Sequence, residues 1–176
     1  MTFSIHTATD DDIVDLYRIA EDMQAKHEPN YFERCVAEQA EEKRVVLIAA
    51  QSGRAIGYVQ LVWSPLYTTF RRLGIPEVQD LNVIPENRGR GVGRGLVEAC
   101  EKIVREAGKP EIGISVGLDQ GFGPAQRLYV KMGYIPDGTG VCCDEIPVRK
   151  GELRATLLRH PISLDNLLTI KMVKSL

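Results

Sequence analysis

The stretch Glu77–Gly95 limits most sharply what this chain can fold into: Glu-Val-Gln-Asp-Leu-Asn-Val-Ile-Pro-Glu-Asn-Arg-Gly-Arg-Gly-Val-Gly-Arg-Gly. A strand-like run, Val78 to Ile84, is halted by Pro85. A loop holding Gly89, Gly91, Gly93 and Gly95 follows. Val92, Leu96, Val97, Cys100, Ile103, Val104 and Ala107 then recur at helical spacing until Gly108 and Pro110. The order is strand, glycine-rich turn, helix. Glycine allows positive φ and the close approach of a ligand, while the free N–H groups and dipole of a helix start attract an anion. The turn is therefore expected to hold phosphate.

Around this centre the pattern predicts a mixed fold in a single domain spanning residues 1–176. Ile5 to Ala8 opens as a strand, and Thr9 with Asp10, Asp11 and Asp12 caps a helix with buried positions Ile13, Leu16, Tyr17, Ala20 and Met23. Tyr31 to Glu42 reads as a second, more polar helix. Val45–Gln51 and Ala55–Trp63 form a hairpin about Ser52-Gly53-Arg54. Ser64 to Pro76 is an irregular loop with Tyr67 and Phe70 as candidate substrate contacts. Beyond the glycine-loop helix, Glu111 to Val116 is the next strand, so strand, helix, strand implies a parallel right-handed crossover. A helix carrying Ala125, Leu128, Tyr129 and Met132 follows. Tyr134 and Ile135 open a strand that turns at Pro136-Asp137-Gly138, with Val141 to Ile146 pairing back. Leu167 to Val173 is a final apolar strand.

The bulk numbers exclude several classes. With 22 basic and 24 acidic side chains the net charge is −2, so no global positive field favours nucleic acid. The four cysteines (Cys35, Cys100, Cys142, Cys143) include no C-x-x-C pair and the three histidines are scattered, so metal spacing is missing. No apolar run approaches a membrane span, and the start lacks a leader pattern. A soluble protein in a reducing cytoplasm is expected.

Spacing narrows the choice of phosphate carrier. No glycine is followed by Lys-Ser or Lys-Thr, and G-x-G-x-x-G fails from both Gly89 and Gly91. The pattern that fits is Arg88-x-x-Gly91-x-Gly93. Further on stands Ala125-Gln-Arg-Leu-Tyr-Val-Lys-Met-Gly-Tyr134. The first resembles the R/Q-x-x-G-x-G/A motif, and the second the A-x-x-L-Y-x-x-x-G-F/Y segment, of the GNAT superfamily of N-acetyltransferases. The resemblance is tight from Val78 to Tyr134 and looser outside it.

That resemblance implies a mostly antiparallel central sheet with helices on both faces, splayed near Leu81 to Val83. It also implies direct transfer of acetyl from acetyl-CoA to a primary amine of a small molecule or peptide, in a ternary complex. Arg88, Gly89, Arg90, Gly91, Val92 and Gly93 would bind the cofactor pyrophosphate, and the main chain at Leu81 and Val83 the pantetheine and oxyanion. Tyr129 matches the acid that protonates the leaving thiolate. Glu77 is favoured as the base, and Asp80 is the second candidate. A departure lies at Phe122, where relatives often carry Asn. The rival reading is a CoA-binding regulatory module without catalysis, and a third is a nucleotide-binding glycine loop. Family analogy also implies a homodimer through residues 164–176.

Overall fold

The computed structural model describes residues 2–25, 27–152 and 168–176. In chain order the elements are β1 (Ser4–Thr7), α1 (Ile13–Asp22), α2 (Tyr31–Ala40), β2 (Arg44–Gln51), β3 (Arg54–Val62), α3 (Thr68–Leu73) and β4 (Glu77–Val83). They continue with α4 (Val92–Glu106), β5 (Glu111–Gly117), α5 (Gly123–Lys131), β6 (Ile135–Cys143), β7 (Ile146–Pro147) and β8 (Leu168–Ser175). The strands are mostly antiparallel with one parallel pair, the mixed α/β class that the sequence implies. Contacts gather into two compact units, Met1–Trp63 with Val78–Gly108, and Ser64–Glu77 with Lys109–Leu176.

In the first unit the strand order is β1-β2-β3-β4. Register shows why helices cover both faces. Ile5 pairs with Ala49, while Ile48 pairs with Tyr58 and Val46 with Gln60. Successive side chains alternate between faces. One face therefore carries Tyr58, whose ring meets Phe32 of α2 edge-on at 5.4 Å. The opposite face carries Ile5, which with Phe3 lies over Gly95 of α4. The apolar stripe of α4 is buried as its spacing predicts: Val92, Leu96, Val97, Cys100 and Val104 are each at most 2% exposed. The acidic run before α1 is a cap, since the Thr9 N–H donates to Asp12 Oδ2 at 2.9 Å.

In the second unit the order is β5-β8-β6-β7. The final strand β8 is antiparallel to β5 on one edge (Ser115 opposite Lys171) and to β6 on the other (Val141 opposite Ile170). It runs on to Ser175, and Leu167, where the expected strand opens, lies outside the described residues. Two expectations change here. The loop before β4 contains α3, which ends on Gly74 at φ 68°; the helix forms because Phe70 buries its ring against the bare Gly113 of β5. Residues after Pro136 do not pair back on Ile135. They continue β6, whose register against β8 shifts between Pro136 and Val141. Proline at 136 and positive-φ glycines at 138 and 140 produce a bulge instead of a hairpin. The hairpin falls one step later, at Asp144 and Glu145, both at positive φ.

Candidate active site

The residues singled out by sequence fall into two sets, one in each unit, and each set is built locally. In the first unit, β4 ends at Val83, a 3-10 turn spans Pro85–Asn87, and the chain enters α4 through the glycine loop. Gly89 (φ 70°) and Gly91 (φ 86°) are both left-handed, and a Cβ on either would meet nothing within 4 Å. Gly91 is the N-cap of α4, and no side chain caps that helix. The first bond of the helix runs from the Gly95 N–H to the Gly91 carbonyl at 2.9 Å. The amides of Val92, Gly93 and Arg94 therefore precede any helical acceptor. Val92 is buried. The Arg88 side chain folds back, with Nε donating to the Val83 carbonyl at 3.0 Å, so it ties the loop to the end of β4. This donor set suits a pyrophosphate.

Upstream, β4 is irregular at Asp80, a non-glycine residue at φ 51°. A short polar side chain tolerates that conformation better than most. Asp80, Leu81 and Val83 are half-buried. Asp80 Oδ2 accepts from the Tyr31 hydroxyl at 2.6 Å and from Gln60 Nε2 at 2.8 Å. Burial foremost, then the Asp80 charge, holds the Tyr31 phenol well above its ordinary range. Asn82 Nδ2 donates to the Tyr58 hydroxyl at 2.9 Å.

In the second unit Tyr129 lies on α5, 4% exposed. Burial alone pushes its phenol well above the ordinary tyrosine range, so it is a neutral donor at any physiological pH. Glu77 is fully buried at the start of β4. Its Oε1 accepts from Lys171 Nζ at 2.8 Å and from Ser115 Oγ at 2.6 Å, and Lys171 also pairs with Glu145. Tyr67 and Phe70 are buried to within 1%, their rings packed edge-to-face at 4.8 Å. The Tyr67 hydroxyl lies 2.7 Å from both Asp137 Oδ2 and Thr139 Oγ1. These two aromatics are core of the second unit and present no surface to a substrate. The Phe122 ring packs against Gly117, whose carbonyl accepts from Gln126 Nε2 at 2.8 Å.

Sequence reasoning passed over Tyr31, Gln60 and Lys171. Two of them carried a signal: Gln60 and Lys171 are polar side chains in the middle of otherwise apolar strands, and a buried polar group needs a partner. Among the described residues no cluster of three or more His, Cys, Asp or Glu could hold a metal, and no helix is long and apolar enough to cross a membrane.

The profile of the Acetyltransferase (GNAT) family matches residues 11–134, which takes in the glycine loop, the Asp80 irregularity and Tyr129. The chain belongs to the GNAT acetyltransferase family. Solved GNAT structures share the fold over nearly the whole chain. The ribosomal-protein-alanine N-acetyltransferase of Brucella melitensis is 18% identical with a TM-score of 0.71, covering 98% of this chain and 99% of that one. The PaiA N-acetyltransferase of Thermoplasma acidophilum, in complex with coenzyme A, is 15% identical with a TM-score of 0.64 and covers 100% of both. YncA of Salmonella typhimurium, with its cofactor acetyl-CoA, is 16% identical with a TM-score of 0.69, covering 99% and 94%. No curated protein matches the chain significantly in sequence.

Proposed function

We propose that this GNAT protein works as one domain that transfers acetyl from acetyl-CoA to a primary amine of a small molecule or peptide, by direct attack in a ternary complex. The observation that carries this reading is the start of α4, which follows left-handed, uncrowded glycines and has no side-chain cap on its first amides, an arrangement that suits a pyrophosphate. Relatives solved with coenzyme A or acetyl-CoA support that choice of ligand. Bound there, acetyl-CoA supplies an activated thioester.

The chain's residues then have separable tasks. The glycine loop and the first amides of α4 (Val92, Gly93 and Arg94) hold the anion, and main-chain groups at Leu81 and Val83 orient the pantetheine and the thioester oxygen. An alkylammonium cannot attack until it loses a proton. Asp80 suits that task better than Glu77, because Glu77 is committed to Lys171 inside the second unit whereas Asp80 is half-buried. As the new C–N bond forms, the C–S bond breaks with its electron pair going to sulfur. Tyr129 donates the proton that the thiolate needs and regains one from the nitrogen.

Calorimetry with acetyl-CoA tests the reading. Wild type should bind, and Gly91→Glu, which puts a carboxylate and a strained side chain in the anion's place, should not. Release of CoA on adding amines then separates an enzyme from a binding module that has lost catalysis. The reading includes a cytoplasmic homodimer. Residues 164–167 of the segment assigned to its contact lie outside the described residues, and β8 pairs with β5 on one edge and with β6 on the other. Elution volume at two concentrations decides the oligomeric state.

A further inference from the structure

Asp80 is held by a chain of hydrogen bonds whose direction is fixed from one end. Arg44 is always a cation and donates from Nη1 to Gln60 Oε1 at 2.5 Å, while its Nε pairs with Glu38 Oε2 at 2.5 Å. The Gln60 oxygen must therefore face Arg44, and its NH2 must face the other way. That NH2 reaches Asp80 Oδ2 at 2.8 Å and the Tyr31 oxygen at 3.0 Å. Because Tyr31 accepts from Gln60, its own proton points to Asp80 Oδ2, 2.6 Å away. The Tyr31 ring is fixed in turn by His27, stacked on it at 4.1 Å and 5° between planes. Both donors converge on one carboxylate oxygen. Among the described residues Asp80 Oδ1 accepts no hydrogen bond, and it is not one of the enclosed polar atoms that lack a partner.

We propose that Tyr31 and Gln60 are positioning residues that orient the Asp80 carboxylate so that Oδ1 receives the proton of an alkylammonium, which selects acceptors that are cationic at neutral pH. The inference rests on the acetyltransferase reading and names its substrate class. The proton passes from the ammonium nitrogen to Oδ1, leaving a neutral amine and a neutral carboxyl group that later returns the proton to solvent. An amine already neutral at pH 7 needs no such acceptor. Other titratable and charged groups around Asp80 are Cys35 and Glu38 of α2, Arg44 of β2, Tyr58 of β3 and His27. Burial raises the Tyr58 phenol and the Cys35 thiol above their usual ranges, so neither competes for the proton as an anion.

The test measures kcat/KM for two acceptor classes, primary alkylamines and weakly basic aromatic amines, in wild type, Tyr31→Phe, Gln60→Glu and Asp80→Asn, with acetyl-CoA affinity by calorimetry alongside. Tyr31→Phe keeps the ring and its stacking and removes the hydroxyl's two hydrogen bonds, the one donated to Asp80 and the one accepted from Gln60. It should cut kcat/KM for alkylamines about tenfold and change that for weakly basic amines less than about twofold, with acetyl-CoA affinity unchanged. Gln60→Glu keeps an acceptor for Arg44 but replaces the donor facing Asp80 with an acceptor, so it should show the same selectivity loss if Tyr31→Phe does not fold. Asp80→Asn should remove the discrimination altogether. Equal losses for both amine classes, or none, in folded variants that still bind acetyl-CoA would overturn this inference and leave the enzyme reading intact. A wild type that binds no acetyl-CoA would sink both.

Discussion

Tyr129 and Lys171 show how burial assigns different work to two polar side chains of one unit. Tyr129 reaches 4% exposure with its phenol pushed upward by desolvation alone, a state that keeps the proton on oxygen until a stronger base arrives. Tyr129→Phe should therefore lower kcat about a hundredfold, within the usual span for a positioned acid, and leave acetyl-CoA affinity unchanged. Steady-state kinetics beside calorimetry checks this. Lys171 is fully buried between Glu77 and Glu145, 5.0 Å from the centre of the Tyr67 ring. Lys171→Met would strand the Glu77 carboxylate in the core, and urea unfolding should show a loss of about 3–5 kcal/mol. Adding Glu77→Gln should restore part of that loss, because a neutral amide tolerates the site that an unpaired charge does not.

At the scale of elements, glycines decide how near the strands and helices come. On β3, a Cβ at Gly57 would stand 2.7 Å from the Asn82 carbonyl and 3.2 Å from Val83 Cγ2. That is the part of β4 whose main chain is assigned to the thioester. Gly57→Ala should cost roughly 1–3 kcal/mol by overpacking and weaken acetyl-CoA binding by displacing Leu81–Val83. A change in the urea midpoint without any change in affinity would show that β4 absorbs the shift. The same device works in the second unit. A Cβ at Gly117 would lie 2.3 Å from the Phe122 ring, so the residue that departs from the family pattern has a place prepared for it on β5. Gln126 supplies the hydrogen bond to the Gly117 carbonyl, which keeps the start of α5 anchored where an asparagine is absent.

For the whole molecule, the buried phenols and thiols set an alkaline limit on stability. The phenols of Tyr31, Tyr58 and Tyr129 are raised above the ordinary value of 10.0, and burial lifts Cys100 from 9.0 to about 12 and Cys142 to about 11. Each group holds its proton in the folded state at pH values where the unfolded chain has lost it. Their contribution is complete below about pH 9 and is lost as pH rises, by about 1.4 kcal/mol per pH unit for each proton of difference. The urea midpoint should fall steadily from pH 9 to 11. A flat midpoint would mean that these groups titrate alike in both states. The sequence alone determined what depends on local pattern. The glycine turn, the helices flanking it and the strand runs were legible because glycine, proline and apolar periodicity act over a few residues, and two spaced motifs were enough to mark the family. Only the tertiary structure decided what depends on partners distant in the chain. It joined Glu77 to Lys171, 94 residues away, and Asp80 to Tyr31, 49 residues away. It also sank Tyr67 and Phe70 into a core and turned the expected hairpin of β6 into a bulge. A side chain's type is written locally, but its solvation and its charge partner are set by the residues that folding brings against it.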